Sequence, residues 1–397
     1  MTRRHEVRFG VDLLAEFPRA RSLRVGLITN DAAATAGAPR PLVPARRALL
    51  DAGVQVVTLF SPEHGLEAAA PDGAAVDDTT DGLTGLPVRS LYGTGFRPAP
   101  DALAGLDALL FDLPDVGTRF YTYIWTLSHV LEACAESRMP LWILDRPNPL
   151  GGDLSAAEGP FYDETLPPGL VGRWSIPVRH GLTAGELATL WNAERRIGAE
   201  ITVVRMQGWE GRPRWPSLGL PFVPTSPALP SYETAQLYPG TGLFEGLSVS
   251  EGRGTGVPFR VVGAPWMNGT ALWDAFTACR LPGVAARPAR FTPCAGRHAG
   301  QSCSGVMLHV TDEEAFRPVA TGLRLMALVW ALYPQECRWA AYPTAANVTG
   351  ANHFDRLIGR REIRPILERG PDDVADRIAE WTNPQGWSSR VQSHLLY

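Results

Sequence analysis

Two glutamates in short polar motifs could supply acid–base chemistry. Glu63 lies in the motif SPEHG, directly after an apolar run that ends at Phe60, and Glu251 lies in SEGRGT. Burial beside a strand disfavours the charged form of a carboxyl group, so we expect Glu63 to suit general acid catalysis. Two carboxylates flanking one bond are the usual equipment for glycoside hydrolysis. The alternative is that Glu63 bonds only loop amides and that Glu251 pairs with Arg253 or its own loop.

Further polar residues follow four apolar runs that are typical of strands. Ligands bind at the carboxyl ends of parallel strands, so these residues are predicted to converge on one crevice that faces the Glu251 loop. Arginine suits bidentate binding of an anionic group. The candidate substrate-binding residues are Asn30, His64, Asp115, Arg119, Tyr121, Asp145, Arg146, Asn148, His180 and Arg253. Asp115 is also the alternative to Glu251 as the second acidic group.

Several other kinds of chemistry are disfavoured by residues and motifs that the sequence lacks. It contains no lysine, which excludes a Schiff-base lysine and the lysine of a Walker-type phosphate loop. No G-x-G-x-x-G follows the first apolar run, so nothing implies a bound nucleotide. His64 and His180 have no ligand partners at metal-binding spacing, and no G-x-S-x-G marks a serine nucleophile. The sequence predicts an enzyme without a metal ion or an organic cofactor.

Short apolar runs alternate with helical patterns, mainly in the first half of the chain. The runs that predict strands are 24–29, 55–60, 107–112, 140–145, 200–205 and 305–312. The patterns that predict helices are 44–53, 123–137, the segment opened by the capping box Thr183–Glu186, 316–333 and a region near 360–382. Such alternation implies a parallel sheet that is covered by helices on both faces.

A stretch rich in Pro and Gly, 208–230, interrupts these patterns, and a glycine-rich loop is predicted over 239–256. The chain is long enough for two domains. We therefore predict an α/β protein with a Rossmann-like, parallel-sheet catalytic domain at residues 1–228. A smaller α/β domain at residues 229–397 is predicted to complete the active-site cleft.

Composition and charge limit the partners and the location of the protein. The net charge of -4 provides no basic surface for nucleic acid, and no apolar run reaches the roughly 18 residues needed to cross a bilayer. The N-terminus lacks the apolar core of a signal peptide, and the five cysteines are scattered without a C-x-x-C. We expect a cytoplasmic protein with a small-molecule or oligosaccharide substrate, and neither a nucleic-acid nor a membrane partner.

Longer motifs also occur in a specific order along nearly the whole chain. They are GLITN, SPEHG, TGLPVRSLYG, FDLPDVGTRFYTY, LDRPNPLGG, EGP, IPVRHGLTAGELA, YPGTGLFEGLSVSEGRGTGVPF and HLLY. In these motifs the chain resembles the exo-β-N-acetylmuramidases of the NamZ type. The resemblance implies a two-domain fold with the active site between the domains. It also implies hydrolysis of terminal β-1,4-linked N-acetylmuramic acid from the non-reducing end of peptidoglycan fragments, with Glu63 and Glu251 as the motif glutamates.

The chain departs from this family pattern at several positions. Pro114 stands where the family usually has Gln, and Ala228 replaces the Asn of an S-P-N-x-P motif. The segment after SPEHG also lacks the usual glycine. These departures motivate a rival hypothesis, a non-catalytic protein that binds sugars or muropeptides. A Rossmann-type oxidoreductase is a second rival, which the missing glycine fingerprint opposes.

Overall fold

Seven strands from the first half of the chain form one sheet in the computed structural model, which describes residues 7–37 and 41–397. The strands are β1 (Arg24–Thr29), β2 (Gln55–Ser61), β3 (Thr79–Thr80), β4 (Pro87–Ser90), β5 (Ala108–Asp112), β6 (Leu141–Leu144) and β7 (Ile201–Val204). Their order across the sheet is β3-β4-β2-β1-β5-β6-β7. All neighbours are parallel except β3 and β4, which pair antiparallel.

Three strands from the second half form a smaller antiparallel sheet in the order β8-β10-β9. They are β8 (Val261–Ala264), β9 (Val284–Phe291) and β10 (Cys303–Val310). The helices are α1 (Gly10–Leu14), α2 (Ala45–Asp51), α3 (Tyr123–Ser137), α4 (Ala184–Glu194), α5 (Trp215–Leu218), α6 (Tyr232–Thr241), α7 (Gly269–Ala278), α8 (Pro318–Leu332), α9 (His353–Ile358), α10 (Ile363–Leu367), α11 (Pro371–Thr382) and α12 (Trp387–Val391). None of the helices in the described residues is long and apolar enough to cross a bilayer.

The central strands of the larger sheet are buried on both faces. Every residue of β5 and β6 is buried, and β1 is buried except at its first residue. This explains why these strands read as continuous apolar runs, because side chains that point to either face meet packed helices. The predicted α/β class with its mostly parallel sheet is confirmed.

Local sequence signals set the bounds of the two helices that cover one face. Helix α3 spans the predicted residues 123–137, and α4 starts at the predicted capping box. In that box Thr183 Oγ1 accepts the N–H of Glu186 at 3.2 Å, and Glu186 Oε2 accepts the N–H of Thr183 at 2.9 Å. Trp125 of α3 stacks on Trp191 of α4 with ring centroids 5.2 Å apart, so both rings belong to the core.

The predicted glycine-rich loop over 239–256 is wrong for its first part. Helix α6 continues through Pro239 to Thr241, and a 3-10 helix follows at Gly242–Gly246. A Cβ atom on Gly240 would lie 2.0 Å from the carbonyl oxygen of Pro318. This glycine therefore permits α6 and α8 to cross closely, which a reading of glycine as a loop former misses.

The C-terminal segment, which follows the smaller sheet in the chain, packs against the half of the chain that contains the large sheet. Trp387 Nε1 donates to the carbonyl oxygen of His180 at 2.8 Å, and the Tyr397 hydroxyl donates to Asp145 at 2.9 Å. The division at residues 228 and 229 stays a prediction. The tail that follows the smaller sheet packs on elements of the N-terminal half.

Candidate active site

A cavity with an empty volume of about 570 Å³ lies where the loop after β2 meets the second half of the chain. Glu63 lines it, and so do three other predicted site residues, His64, Tyr121 and Arg253. Polar residues that sequence reasoning did not select also line this cavity, which we call the Glu63 cavity: Asp72, Tyr92, Ser226, Tyr238, Glu245, Tyr342, Thr344 and His353.

The loop after β2 holds Glu63 in place by a tight turn. His64 has a φ of 69° and Gly65 has a φ of 76°, so the chain reverses immediately after Glu63. The Glu63 side chain is buried, and its Oε1 accepts the N–H of Gly73 at 2.8 Å. Burial, together with the neighbouring Glu63 carboxylate, raises the pKa of Tyr92, so the Tyr92 hydroxyl stays a neutral donor beside it. Glu63 is thus a desolvated carboxyl group that lines a cavity.

His64 has one ring nitrogen committed to the protein. Its Nδ1 lies 2.8 Å from the carbonyl oxygen of Ala70, which can only accept a hydrogen bond. Nδ1 therefore carries the proton, and Nε2 is the acceptor in the neutral ring. Substrate binding by His64 stays a prediction.

Tyr121 forms part of the floor of the cavity, and Tyr123 and Asn30 support it without lining the cavity. The rings of Tyr121 and Tyr123 lie 4.7 Å apart, and both hydroxyls donate to the carbonyl oxygen of Thr225, at 3.1 and 3.0 Å. Asn30, fully buried after β1, donates from Nδ2 to the Tyr123 hydroxyl at 3.0 Å. Asn30 therefore supports the floor, and it does not line the cavity itself.

Arg253 links three carboxylates at the wall of the cavity. Its Nη1 pairs with Asp72, its Nη2 lies 2.6 Å from Glu245, and its Nε lies 3.3 Å from Glu251. Asp72 belongs to the first half of the chain and Arg253 to the second, so the ion pairs join the two halves. The predicted pairing of Glu251 with Arg253 is present in the structure.

Glu245 and His353 are site residues that the sequence analysis missed. Glu245 Oε2 lies 2.9 Å from His353 Nε2, and the His353 ring stacks on Tyr342 at 4.7 Å. Burial opposes ionisation of Glu245, but Arg253 and His353 together lower its pKa below the ordinary value. The sequence feature that could have identified Glu245 is its position in the LFEG segment, six residues before Glu251. Nothing local marks His353.

Glu251 lines an adjoining groove and not the Glu63 cavity itself. The groove has an empty volume of about 1660 Å³, and it shares Asp72, Ala228, Arg253 and Tyr342 with the cavity. Burial raises the pKa of Glu251 to about 7, against the lowering effect of Arg253 and with a smaller contribution from Glu245. Glu251 can therefore exchange a proton near neutral pH.

A second cavity, with an empty volume of about 560 Å³, lies beyond the ends of β1, β5 and β6. Asp115 and Arg146 line it, and so does Pro114. Arg146 forms a bidentate pair with Asp112, with distances of 2.6 and 2.9 Å, and donates to the carbonyl oxygen of Ala34 at 2.8 Å. Its donors are thus largely satisfied by the protein.

The prediction of one crevice at all four strand ends is wrong. The segment 220–226 runs between the two cavities, with Thr225 lining the second and Ser226 lining the first. The hydroxyls of Tyr121 and Tyr123 fix this segment through the Thr225 carbonyl. Sequence reasoning placed the strand ends side by side correctly, but it did not foresee a segment crossing between them.

Four predicted substrate-binding residues are buried structural groups, which corrects the prediction for them. Arg119 is fully buried and donates to the carbonyl oxygens of Pro160, Ile176 and Leu357, at 2.7, 2.9 and 2.6 Å. Asn148 donates to a carbonyl at 3.1 Å and accepts a backbone N–H at 3.0 Å. Both side chains are buried, and neither lines the Glu63 cavity.

Asp145 and His180 complete this set. Asp145 accepts hydrogen bonds from Thr183, Gly185 and Tyr397, at 2.7, 2.9 and 2.9 Å, below the start of α4. His180 is fully buried, with Nδ1 accepting a backbone N–H at 3.1 Å and Nε2 lying 3.2 Å from Asp115. Both side chains therefore hold loops together.

Groups that could coordinate a metal ion were sought among the residues at 7–37 and 41–397. No group of three or more His, Cys, Asp or Glu side chains is close enough there to hold one ion. Asp72 and Glu245 in the Glu63 cavity are instead paired with Arg253, and Glu245 also with His353. The arrangement offers acid–base groups and hydrogen-bond donors.

Glycoside hydrolases use a pair of carboxyl groups, and the structure places the buried Glu63 and Glu251 in a cavity and its adjoining groove. Two family profiles match the chain, "Exo-beta-N-acetylmuramidase NamZ, N-terminal" over residues 25–233 and "Exo-beta-N-acetylmuramidase NamZ, C-terminal" over residues 236–397. The chain therefore belongs to the NamZ family, as the motifs predicted.

Similar proteins are known in Bacillus subtilis and Bacteroides fragilis. The peptidoglycan beta-N-acetylmuramidase NamZ of Bacillus subtilis (strain 168) is 41% identical over 396 residues, which cover 99% of this chain and 92% of that protein. Two crystal structures of DUF1343 family proteins from Bacteroides fragilis NCTC 9343 share the fold. One has a TM-score of 0.85 at 32% identity, covering 99% of this chain and 100% of that one. The other has a TM-score of 0.74 at 28% identity, covering 98% and 99%.

Proposed function

We propose that this protein is an exo-β-N-acetylmuramidase that releases N-acetylmuramic acid from the non-reducing end of peptidoglycan fragments. The observation that carries the proposal is Glu63, a buried carboxyl group that lines the cavity of a protein of the NamZ family. The Bacillus subtilis relative, 41% identical, bears the name of this activity. The substrate is thus a muramyl-containing oligosaccharide.

In the proposed reaction Glu63 is the general acid. As the bond between the anomeric carbon and the leaving oxygen breaks, Glu63 transfers its proton to that oxygen. Oxygen from water forms the new bond to the anomeric carbon, and the proton of the water passes to a base. The Gly73 N–H and the Tyr92 hydroxyl fix the carboxyl group during this transfer.

Glu251 is the preferred candidate for the second acidic group, either as the base or as a stabiliser of the positive charge on the sugar. It lines the groove that adjoins the Glu63 cavity, and its pKa of about 7 permits proton exchange. Asp115 is a weaker candidate because it lines the other cavity, beyond segment 220–226. The acetamido group of the substrate is an alternative to a protein nucleophile.

We also propose a reducing compartment, the cytoplasm, as the place where the protein acts. All five cysteines of the chain are free, and Cys134, Cys303 and Cys337 are buried thiols. Free thiols persist where glutathione and thioredoxin keep them reduced.

An assay with the nitrophenyl β-glycoside of N-acetylmuramic acid tests the proposal. We expect the purified protein to release nitrophenol without any added cofactor, and to release the terminal sugar from a muramyl-terminated disaccharide. Binding of the glycoside without turnover would instead support the non-catalytic rival. Ala228, which lines the Glu63 cavity where the family pattern has Asn, keeps that rival worth testing.

A further inference from the structure

The proposed substrate carries an anionic group that the predicted arginines cannot bind. N-Acetylmuramic acid differs from N-acetylglucosamine by a lactyl ether that ends in a carboxylate. Arg119 donates to three carbonyl oxygens, Arg146 is paired with Asp112, and Arg253 is paired with three carboxylates. Binding an anion would require each of these side chains to give up a buried partner, which is costly.

The electrostatics of the site make a further cation necessary. The Glu63 cavity and the adjoining groove are lined by four acidic side chains, those of Glu63, Asp72, Glu245 and Glu251, of which Asp72 and Glu245 are the anions nearest to Arg253. Arg253 already balances part of this charge. A lactyl carboxylate that enters such a site is repelled unless a cation with unused donors faces it.

Arg297 is a groove residue that meets this requirement. Its Nη2 lies 3.4 Å from the carbonyl oxygen of Glu245 and 3.5 Å from that of Ala341, which are both long for hydrogen bonds. Within the described part of the chain no carboxylate forms an ion pair with it, although its charge lowers the pKa of Glu251. Its guanidinium group therefore keeps a fork of donors for a ligand.

The groove also has a suitable position relative to Glu63. It shares Asp72, Ala228, Arg253 and Tyr342 with the Glu63 cavity, so a sugar in the cavity can extend a substituent into it. Arg297 belongs to the loop between β9 and β10, and it lines the groove together with Arg253 but does not line the Glu63 cavity. An arginine at such a place contacts a substituent of the sugar without touching the reacting bond.

We propose that Arg297 binds the lactyl carboxylate and thereby selects muramyl over glucosaminyl substrates. This inference rests on the proposed function. Arg297 acts as a specificity residue, and the acid–base chemistry stays with Glu63 and Glu251. A bidentate guanidinium–carboxylate pair is a charge-assisted contact, so its loss weakens binding of the muramyl substrate about 10- to 100-fold.

The test compares Arg297→Gln with the wild type on nitrophenyl β-glycosides of N-acetylmuramic acid and N-acetylglucosamine. We expect KM for the muramyl glycoside to rise about 10- to 100-fold with kcat little changed, and the glucosaminyl kinetics to stay the same. KM of Arg297→Lys for the muramyl glycoside should lie between those of the wild type and Arg297→Gln, because lysine keeps the charge but cannot donate two parallel hydrogen bonds. Arg290→Gln, an exposed arginine that lines a separate cavity, is the matched control.

A wild-type ratio of kcat/KM for the two glycosides in Arg297→Gln would overturn the inference. If the wild-type protein cleaves neither glycoside, the proposed function fails, and calorimetry with free N-acetylmuramic acid then tests Arg297 separately. In that experiment the inference requires weaker binding by Arg297→Gln than by Arg290→Gln. Equal binding by the two variants would contradict it.

Discussion

Replacing Glu63 by glutamine tests the proposed acid with little disturbance of the fold. Glutamine has the same shape, and its carbonyl oxygen can still accept the Gly73 N–H that Glu63 accepts at 2.8 Å. It cannot donate a carboxylic proton. General acid catalysis contributes about 10²- to 10⁴-fold in rate, and a 10³-fold loss corresponds to about 4 kcal/mol of activation free energy.

The size of the loss should depend on the leaving group. A sugar hydroxyl is a poor leaving group and needs the proton, so we expect kcat for a muramyl disaccharide to fall by about 10²- to 10⁴-fold in Glu63→Gln. A nitrophenol departs with little protonation, and kcat for the nitrophenyl glycoside should fall much less. Both constants are measured alongside the midpoint of thermal unfolding, which should change little.

Glu67→Gln is the matched control, because Glu67 is an exposed glutamate four residues further along the same loop. It should keep both activities. An equal loss on the two substrates in Glu63→Gln, accompanied by earlier unfolding, would show that Glu63 only stabilises its loop. No loss at all would remove the acid role and direct attention to Glu251.

Three further predictions concern stability. Arg253→Met removes the cation shared by Asp72, Glu245 and Glu251, of which the two glutamates are buried, and should lower the free energy of unfolding by about 3 kcal/mol. A loss below about 1 kcal/mol in urea denaturation would contradict the ion-pair account. Tyr397→Phe removes a donor from the buried Asp145 and should cost about 1–3 kcal/mol in the same measurement, whereas unchanged stability would show that this hydrogen bond is unimportant. Burial, with Asp145 nearby, raises the pKa of Glu186 from 4.5 to about 7, so the folded state holds more protons than the unfolded state between these values. Stability should therefore fall as the pH rises through this window, by up to about 3 kcal/mol from this group, and Glu186→Gln should flatten the profile. An unaltered profile in that variant would assign the pH dependence to other groups.

The parts of the fold that follow from local patterns were predictable. Buried parallel strands give apolar runs, and the bounds of α3 and the capping box of α4 are consequences of neighbouring residues. The short strands β3 and β4 have no such pattern, since β3 is exposed and β4 alternates. Gly240 was misread because its role depends on a helix 78 or more residues away along the chain.

The candidate site was predictable only where a motif carried it. Glu63, His64 and Arg253 stand in short polar motifs, and the structure brings them to one cavity. Which arginines are available to a substrate depends on partners far away in the sequence. Arg253 meets Asp72 across 181 positions, and Arg119 meets the carbonyl of Leu357 across 238. Only the folded chain shows that Arg297 retains donors.

The place of Tyr397 has a consequence for how the protein is made. Its hydroxyl donates the last of the hydrogen bonds to Asp145, a residue directly after β6 that is synthesised 252 positions earlier. At about 5–20 residues per second, a ribosome reaches Tyr397 roughly 12 to 50 s after Asp145. Throughout that interval Asp145 lacks the hydrogen bond that Tyr397 donates in the complete protein. The N-terminal half therefore reaches its final stability only after the tail has been synthesised, and a protease that removes the tail would weaken the half of the molecule that was made first.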